Sequence, residues 1–329
     1  MKPFVSVIVC THNPRPVLLD WALASIEAQT LERDRFEVIV VDNCSRAPLE
    51  VERLHAQRDI NITLVREPAL GLANARCAGI QRAQADLFVF VDDDNFLMPD
   101  YLDRAIAIAA REPEIGHFGG IAMPLYEEPV SSWQKRFLPS LGIRDEGAEP
   151  ITSYENHWGA WEPIGAGMVS RRAVAEAFVE TVRTNELAQL LGRKGSHLMS
   201  GEDTLFARIA ASMGYACSYQ PALKLFHFIR RNRLRPATLA RTILGHGRSY
   251  VILEELSRRK IAPESLGKMV WELALCVAYH SRKEGLRAGL IQWFWNLGAF
   301  LQRVKQSPLT ECRDLPKQSE RVELSKAGD

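Results

Sequence analysis

Three consecutive aspartates, Asp92, Asp93 and Asp94, close an apolar run that begins at Leu87. Like charges that close repel, and carboxylates at the end of a buried strand call for compensating cations or hydrogen-bond donors. On an extended backbone alternate side chains share a face, so Asp92 and Asp94 converge while Asp93 points away. Two converging carboxylates suit a hard divalent cation. The other reading is a solvated loop in which Asp94 or Asn95 caps the following helix. A second acidic point, Glu202-Asp203, follows Gly201 and opens a helical run. The helix dipole stabilises acids there without further reason. A carboxylate at a helix start in a cleft is also a well-placed general base, and Gly201 would let a substrate approach the backbone. His227 ends an apolar stretch. Alone it reads as a core or surface histidine; beside Asp94 it would become a ligand that tilts metal preference from Mg2+ toward Mn2+.

The elements that must position these groups alternate. "FVSVIVC" (4–10), "FEVIVVD" (36–42), "NITLVRE" (61–67) and "LFVFV" (87–91) read as buried strands, and "GHFGGIAM" (116–123) as a further short one. Between them, 15–30, 71–83 and about 99–110 carry helical spacing, with Pro99 suited to a first turn. Strands separated by such helices predict an α/β fold with a mostly parallel sheet flanked by helices. Ligand sites in such sheets lie beyond the C-terminal strand ends, where Thr11, Asp42 and Asp92–Asp94 all fall. Residues 124–163 show no period and read as loops over the sheet edge. Strand and helix resume over 163–178, a helix spans 201–215, "LKLFHF" (223–228) is extended, and 236–306 is helical throughout.

Composition is ordinary for a globular chain of 329 residues: 47% hydrophobic, 25% charged, net charge +1. That balance argues against a nucleic-acid partner. The charge is uneven, however. Residues 228–306 hold 15 Lys/Arg against 5 Asp/Glu, a local +10, which leaves the remainder near −9. Six scattered cysteines without a C-x-x-C pair fit reduced thiols, and a strand-like run from Phe4 leaves no room for a signal peptide, so a cytoplasmic location is expected.

Taken in order, "VSVIVCTHNP", "IVVDNCS", "EPALGLANARCAGI", "VFVDDDNFLMPDYL", "GAGMVSRRA", "GEDTLFARIAASMGY" and "LFHF" resemble the family 2 glycosyltransferases of the GT-A fold over roughly residues 4–228. The resemblance implies a Rossmann-like catalytic domain at 1–228, with a nucleotide-binding part at about 1–122 and an acceptor part at about 123–228. It also implies an inverting transfer of sugar from a nucleotide-sugar, a UDP-sugar first among them, to a glycan or lipid-linked acceptor. Thr11, Asn13, Asp42, Arg76, Asp92 and Asp93 match nucleotide-binding positions. Asp92, Asp94 and His227 match metal positions for Mn2+ or Mg2+. Asp203 matches the base, with Glu202 its usual neighbour, and Trp161, Gly165 and Gly167 match the acceptor side. Two departures stand out: Cys77 where the family often has Asn, and Asn95 in place of a frequent fourth Asp.

Three rivals are weaker. A sugar nucleotidyltransferase would need a Gly-rich basic loop after the first strand, and "THNPRP" is not one. A dinucleotide dehydrogenase would need G-x-G-x-x-G there. A non-catalytic nucleotide- or glycan-binding relative would be expected to lose Asp94 or Asp203. After the catalytic domain come a basic amphipathic helical region at 229–306 and a polar tail at 307–329, expected to be disordered. The apolar stretches of the helical region are too short to span a bilayer, which takes roughly 20 residues. They suit either a hairpin packed on the catalytic domain or an interfacial segment. The +10 charge and Trp293-Phe294-Trp295 lean the expectation toward peripheral attachment at an anionic inner-membrane surface.

Overall fold

The computed structural model describes residues 2–56, 58–195, 199–257 and 285–306, with positions 267, 271, 275, 278, 279 and 282 between the last two stretches. The polar tail from 307 and most of 258–284 lie outside the described residues.

Four parallel strands, β1 (Val5–Thr11), β2 (Phe36–Asn43), β3 (Ile62–Glu67) and β4 (Leu87–Asp92), run in the order β3-β2-β1-β4. Every residue of β1 is buried. With strands on both sides and helices on both faces it has no solvent side, which is why it reads as a continuous apolar run. Helices α1 (Pro16–Glu27), α2 (Val51–His55) and α3 (Leu72–Arg82) make the crossovers, α1 starting on Pro16. Strand alternation then sorts the core. Val5, Val7 and Val9 join one cluster with α1 and with α4 (Tyr101–Arg111). Ile8 and Cys10 join the other, with α3, α6 (Arg172–Thr184) and α7 (Glu202–Ser212). In α3, a Cβ on Gly79 would lie 2.4 Å from Ile8 Cγ2, so only glycine lets this helix approach its strand so closely.

Past β4 the sheet turns mixed. β8 (Val169–Arg171) lies antiparallel between β4 and β6 (Ile115–Tyr126), and β6 runs parallel to β9 (Ala216–Ile229). β5 (Asn95–Leu97) and β7 (Ile151–Ser153) pair antiparallel with β9. The expected mostly parallel character therefore holds for the N-terminal half, while the second half departs from it. β6 and β9 are also longer than expected, at 12 and 14 residues. Their mutual pairing continues across a bulge between Gly119 and Ile121, where a Cβ on Gly120 would sit 2.1 Å from Leu223 O. Residues 124–163 are not all loop: they hold β7 and a short helix, α5 (Ser132–Lys135), with a Ser131/Gln134 capping box.

Two long helices, α8 (Pro236–Leu256) and α9 (Leu286–Gln306), pack together and onto the segments that precede them. Their backbones nearly touch: a Cβ on Gly247 would lie 2.0 Å from Trp295 O, and one on Gly298 2.1 Å from Leu244 O. A third core forms between them and the preceding segments from Phe137, Leu141, Ile229, Leu234, Ile243 and Ile291. Phe294 and Trp295 pack against it, and Trp293 meets Phe294 edge-on at 5.5 Å. Phe294 and Trp295 thus pack on this core while staying half-buried, and Trp293 is half-buried beside them. Among the described residues no helix is long and apolar enough to cross a bilayer.

Candidate active site

Strand register assembles the site. β1 pairs Thr11 with Asp42 and Cys10 with Asp92, so the N-terminal candidates share one sheet edge. β4 ends at Asp92, and the chain turns through Asp93 and Asp94 into β5. β5 lies antiparallel to β9 with Asn95 opposite His227, and Phe228 N–H donates to Asp94 O at 2.8 Å. That pairing brings His227 beside the aspartates, 133 residues on from Asp94. The turn replaces the extended geometry expected of the cluster, with one consequence. Asp93 does not point away but accepts the Thr11 hydroxyl at 2.5 Å, and lies 3.6 Å from Arg230.

Around these groups opens a cleft of about 880 Å³, lined on the sheet side by Thr11, Arg76, Asp92–Asp94, Gly165, Glu202, Asp203 and His227. Its far wall comes from the C-terminal helices, with His246 and Tyr250 on α8 and Gln292 and Trp295 on α9. Four candidates stand apart from this lining. Asp42 spends its carboxylate on the backbone N–H groups of Ser45 (3.1 Å) and Leu49 (2.9 Å), shaping the loop after β2. Asn13, at φ 51°, is exposed and tied to Ser45 and Arg46. Trp161 packs against the core beside His157, and its neighbour Trp158 faces the cleft instead. Gly167, at φ +71°, serves the fold: its carbonyl accepts Tyr101 Oη at 2.5 Å, and a Cβ would meet Leu225 at 2.3 Å.

Burial dominates the electrostatics. It pushes Asp92 above the usual carboxylate range, with Arg76 pulling the other way and Asp94 adding to the rise. Asp93 is pushed up to about 7 by burial and by Asp94, against the Thr11 hydrogen bond. Arg76 is almost wholly buried, and Glu202 with Asp92 outweighs burial to keep it a firm cation. His227 is driven down by burial, so it is neutral at pH 7. Its Nδ1 lies 3.0 Å from Gly142 O, which can only accept, so Nδ1 carries the proton. The Nε2 lone pair is left facing Asp94 Oδ1 at 3.5 Å and accepts from Arg233 Nη1 at 3.0 Å. An imidazole lone pair and a carboxylate oxygen so close make a corner suited to a cation.

The adjacent acids of α7 diverge. Glu202 Oε1 meets Arg76 at 3.2 Å, buried on both sides, and burial pushes this carboxyl up to about 7 despite Arg76. Asp203 faces the cleft, and its two oxygens accept the backbone N–H groups of Gly165 and Thr204, each at 2.9 Å. A Cβ on Gly165 would lie 2.8 Å from Arg76 Nη2, so a side chain there would displace the guanidinium that meets Glu202.

A family model described as glycosyl transferase family 2 matches residues 6–178, just over half of the chain. The chain belongs to this family. Among curated relatives, an uncharacterized glycosyltransferase of Haemophilus influenzae is 31% identical over 115 residues, 34% of this chain and 36% of that one. The succinoglycan biosynthesis protein ExoW of Rhizobium meliloti is 35% identical over 105 residues, 31% and 32% of the two chains. These matches span about a third of the relatives' length. Among solved structures, the mannosyltransferase PcManGT of Pyrobaculum calidifontis, in complex with GDP-Man and Mn2+, superposes with a TM-score of 0.55. It does so at 18% identity, over 93% of this chain and 88% of that one, which is likeness of fold.

For a family 2 member, the cleft holds residues that reading the motifs did not single out: Arg193, Arg230, Arg233 and His246. For Arg230 and Arg233 the signal was the excess of arginine after Phe228, which gives no position in space; Arg193 and His246 carried none. His246 is driven down to about 4 by burial and by Arg193, so it is a neutral donor and acceptor in the cleft wall. Among the described residues no three His, Cys, Asp or Glu groups form a ready-made metal cage.

The Arg76–Glu202 pair makes a stability prediction. Glu202→Gln keeps the shape but leaves Arg76 a buried cation with one charged partner fewer. Breaking such a pair from one side costs about 3–5 kcal/mol, so the variant should unfold at a clearly lower urea midpoint. An unchanged midpoint would mean that Asp92 alone suffices to hold Arg76.

Proposed function

We propose that this chain is an inverting glycosyltransferase, moving a sugar from a nucleoside-diphosphate sugar to a hydroxyl of a saccharide or lipid-linked saccharide with a divalent metal. One observation carries the reading. A carboxylate held by two backbone N–H groups, Asp203, stands in one cleft with a strand-end cluster of carboxylates and a neutral histidine. The family match and the GDP-Man and Mn2+ bound to a protein of the same fold support it.

The residues suit the metal. Asp92 and Asp94 bring oxygen ligands and His227 an unprotonated Nε2 lone pair, which Arg233 occupies at 3.0 Å here, and burial raises the cost of the Asp92 charge. A divalent ion held there would stabilise, as a Lewis acid, the negative charge that builds on the departing diphosphate. The rest falls to the chain itself. Asp203 accepts the proton of the attacking hydroxyl, whose own pKa is far too high for it to ionise unaided. Gly165 and Thr204 fix the orientation of that carboxylate while its remaining lone pairs stay available. One base on the face opposite the leaving group makes a single displacement, so the anomeric configuration inverts. His246, Tyr250, Gln292 and Trp295 form the wall of the acceptor end, with aromatic faces and hydrogen-bonding groups suited to a polyhydroxylated ring.

A second reading concerns location, in the cytoplasm and at its membrane surface. Beside the half-buried aromatics, α9 leaves Leu286, Leu290, Leu301 and Val304 exposed, and Trp271 and Tyr279 are exposed ahead of it. Arg287 and Lys305 lie on the same helix. Apolar and cationic side chains together suit an anionic lipid surface, each cation adding on the order of 1 kcal/mol.

Four outcomes are expected. A panel of UDP-, GDP- and dTDP-sugars should show nucleotide release that stops in excess chelator and returns with Mn2+ or Mg2+. Asp94→Ala should lose metal-dependent nucleotide binding with its circular dichroism intact; full activity without metal would sink the metal assignment. Asp203→Asn should cut turnover by roughly 10²–10⁴-fold, the usual worth of a general base, at nearly constant donor affinity. Because asparagine has one acceptor oxygen for two N–H partners, its melting temperature should be checked alongside; near-normal turnover would remove Asp203 from the role. Finally, the chain should co-sediment with phosphatidylserine vesicles at low salt and lose this on Leu286, Leu290 and Val304→Ser. Indifference to such vesicles would leave α9 as a packing element.

A further inference from the structure

Three arginines converge on the aspartate cluster, and one occupies the corner that a metal would need. Arg233 belongs to the single 3-10 turn Arg231–Leu234 between β9 and α8. Its Nη1 donates to His227 Nε2 at 3.0 Å and lies 3.9 Å from Asp94 Oδ2, and its Nη2 donates to Leu141 O at 3.3 Å. The nearest partner of this cation is therefore a neutral nitrogen, and its carboxylate contact is the longest of the three. A guanidinium fork is shaped for two oxygens of one anion at hydrogen-bond distance, and Arg233 has no such pair here. Burial, and then Arg193, holds its pKa down to about 10, so a second cation crowds it from the cleft. Arg230 stands nearby, 3.6 Å from Asp93. Positive charges gathered around a cleft without matching fork contacts mark a place where an anion fits.

The decisive constraint is His227 Nε2. Its other nitrogen is committed to Gly142 O, so Nε2 has one lone pair. That pair can accept from Arg233 or bind a metal ion, but not both. We propose that Arg233 is an exchangeable cation of the donor site: its guanidinium holds the Asp94–His227 corner until a divalent ion takes it, and then transfers to the diphosphate of the nucleotide-sugar. The backbone need not follow, because Leu234 is anchored in the third core and only the long side chain swings. The exchange keeps the carboxylates neutralised throughout. It also couples the two ligands, since the metal frees the fork that grips the phosphates, and the phosphates keep the fork off His227. This inference rests on the metal and donor reading above.

The test uses the full chain and two binding measurements, neither of which needs turnover. Free Mn2+ is titrated by electron paramagnetic resonance, without nucleotide, for the wild type, Arg233→Ala and Arg233→Lys. UDP and GDP are then titrated calorimetrically at saturating Mn2+. Arg233→Ala should bind Mn2+ roughly tenfold more tightly, because a like charge facing the site is gone. It should bind the nucleoside diphosphate at least about tenfold more weakly, the ratio that one lost charge-assisted hydrogen bond costs. Arg233→Lys keeps the charge but loses the fork, so its nucleotide affinity should fall as well. A merely structural tie would move both affinities down together, and that result, or no change in either, overturns the exchange while leaving the donor reading intact. If Arg233→Ala fails to fold by circular dichroism, Arg233→Lys must still lower nucleotide affinity without lowering Mn2+ affinity, or the exchange is wrong. A wild type that binds neither UDP nor GDP with Mn2+ defeats the donor reading and this inference with it.

Discussion

Three carboxylates at the end of a strand buried up to its last residue cannot all be desolvated as anions unless cations face them. Most of the surrounding architecture answers that requirement. Arg76 rises from α3 beneath Asp92, the Thr11 hydroxyl covers Asp93, and Arg230 and Arg233 arrive from the segment after β9. None of these compensations is local in sequence. The cluster is stable only once β1, α3 and β9 are all in place, so the acidic turn depends on the complete sheet rather than on β4 alone.

The same logic separates the two acids of α7. Adjacent in sequence, both at a helix start where the dipole favours them, they meet different surroundings. Glu202 turns inward to neutralise Arg76, and Asp203 turns to the cleft and is held by backbone N–H groups. Neighbouring carboxylates driven to different tasks by environment are a recurring device in enzyme sites. Here Arg76 links them electrostatically to Asp92, so the acidic clusters of β4 and α7 share one buried cation.

The C-terminal helices are part of this arrangement and not an appendage to it. Ser249 on α8 accepts the N–H of Ser200 at 3.1 Å, and Leu253 lies close against Gly201, so α8 braces the chain just before the Glu202-Asp203 pair. The close approach at Gly247 and Gly298 fixes α9 on α8, and the pair then supplies one wall of the cleft. A helix that closes a polar cleft must bring polar groups of its own, here His246, Ser249, Tyr250 and Gln292, while the cations of the region that line the cleft, Arg230 and Arg233, come from the turn before α8.

By itself the sequence determined the alternation of buried strands and helices, the strand-end position of Thr11 and the aspartates, and the acids opening α7. Each is a local property, carried by apolar period, turn residues and helix-start chemistry within a few positions. The tertiary structure decided which of these groups meet. His227 reaches Asp94 only through the antiparallel register of β5 on β9. The direction of Asp93 follows from a tight turn where an extended chain was expected, and that turn exists because β5 doubles back to pair with β9. The mixed half of the sheet and the bulge at Gly120 come from pairing between segments about a hundred residues apart, which no local period encodes. The inward packing of Phe294 and Trp295 is of the same kind: amphipathic spacing marks a face for burial, but the surface that buries it is supplied by distant residues, here Phe137, Leu141 and Ile229.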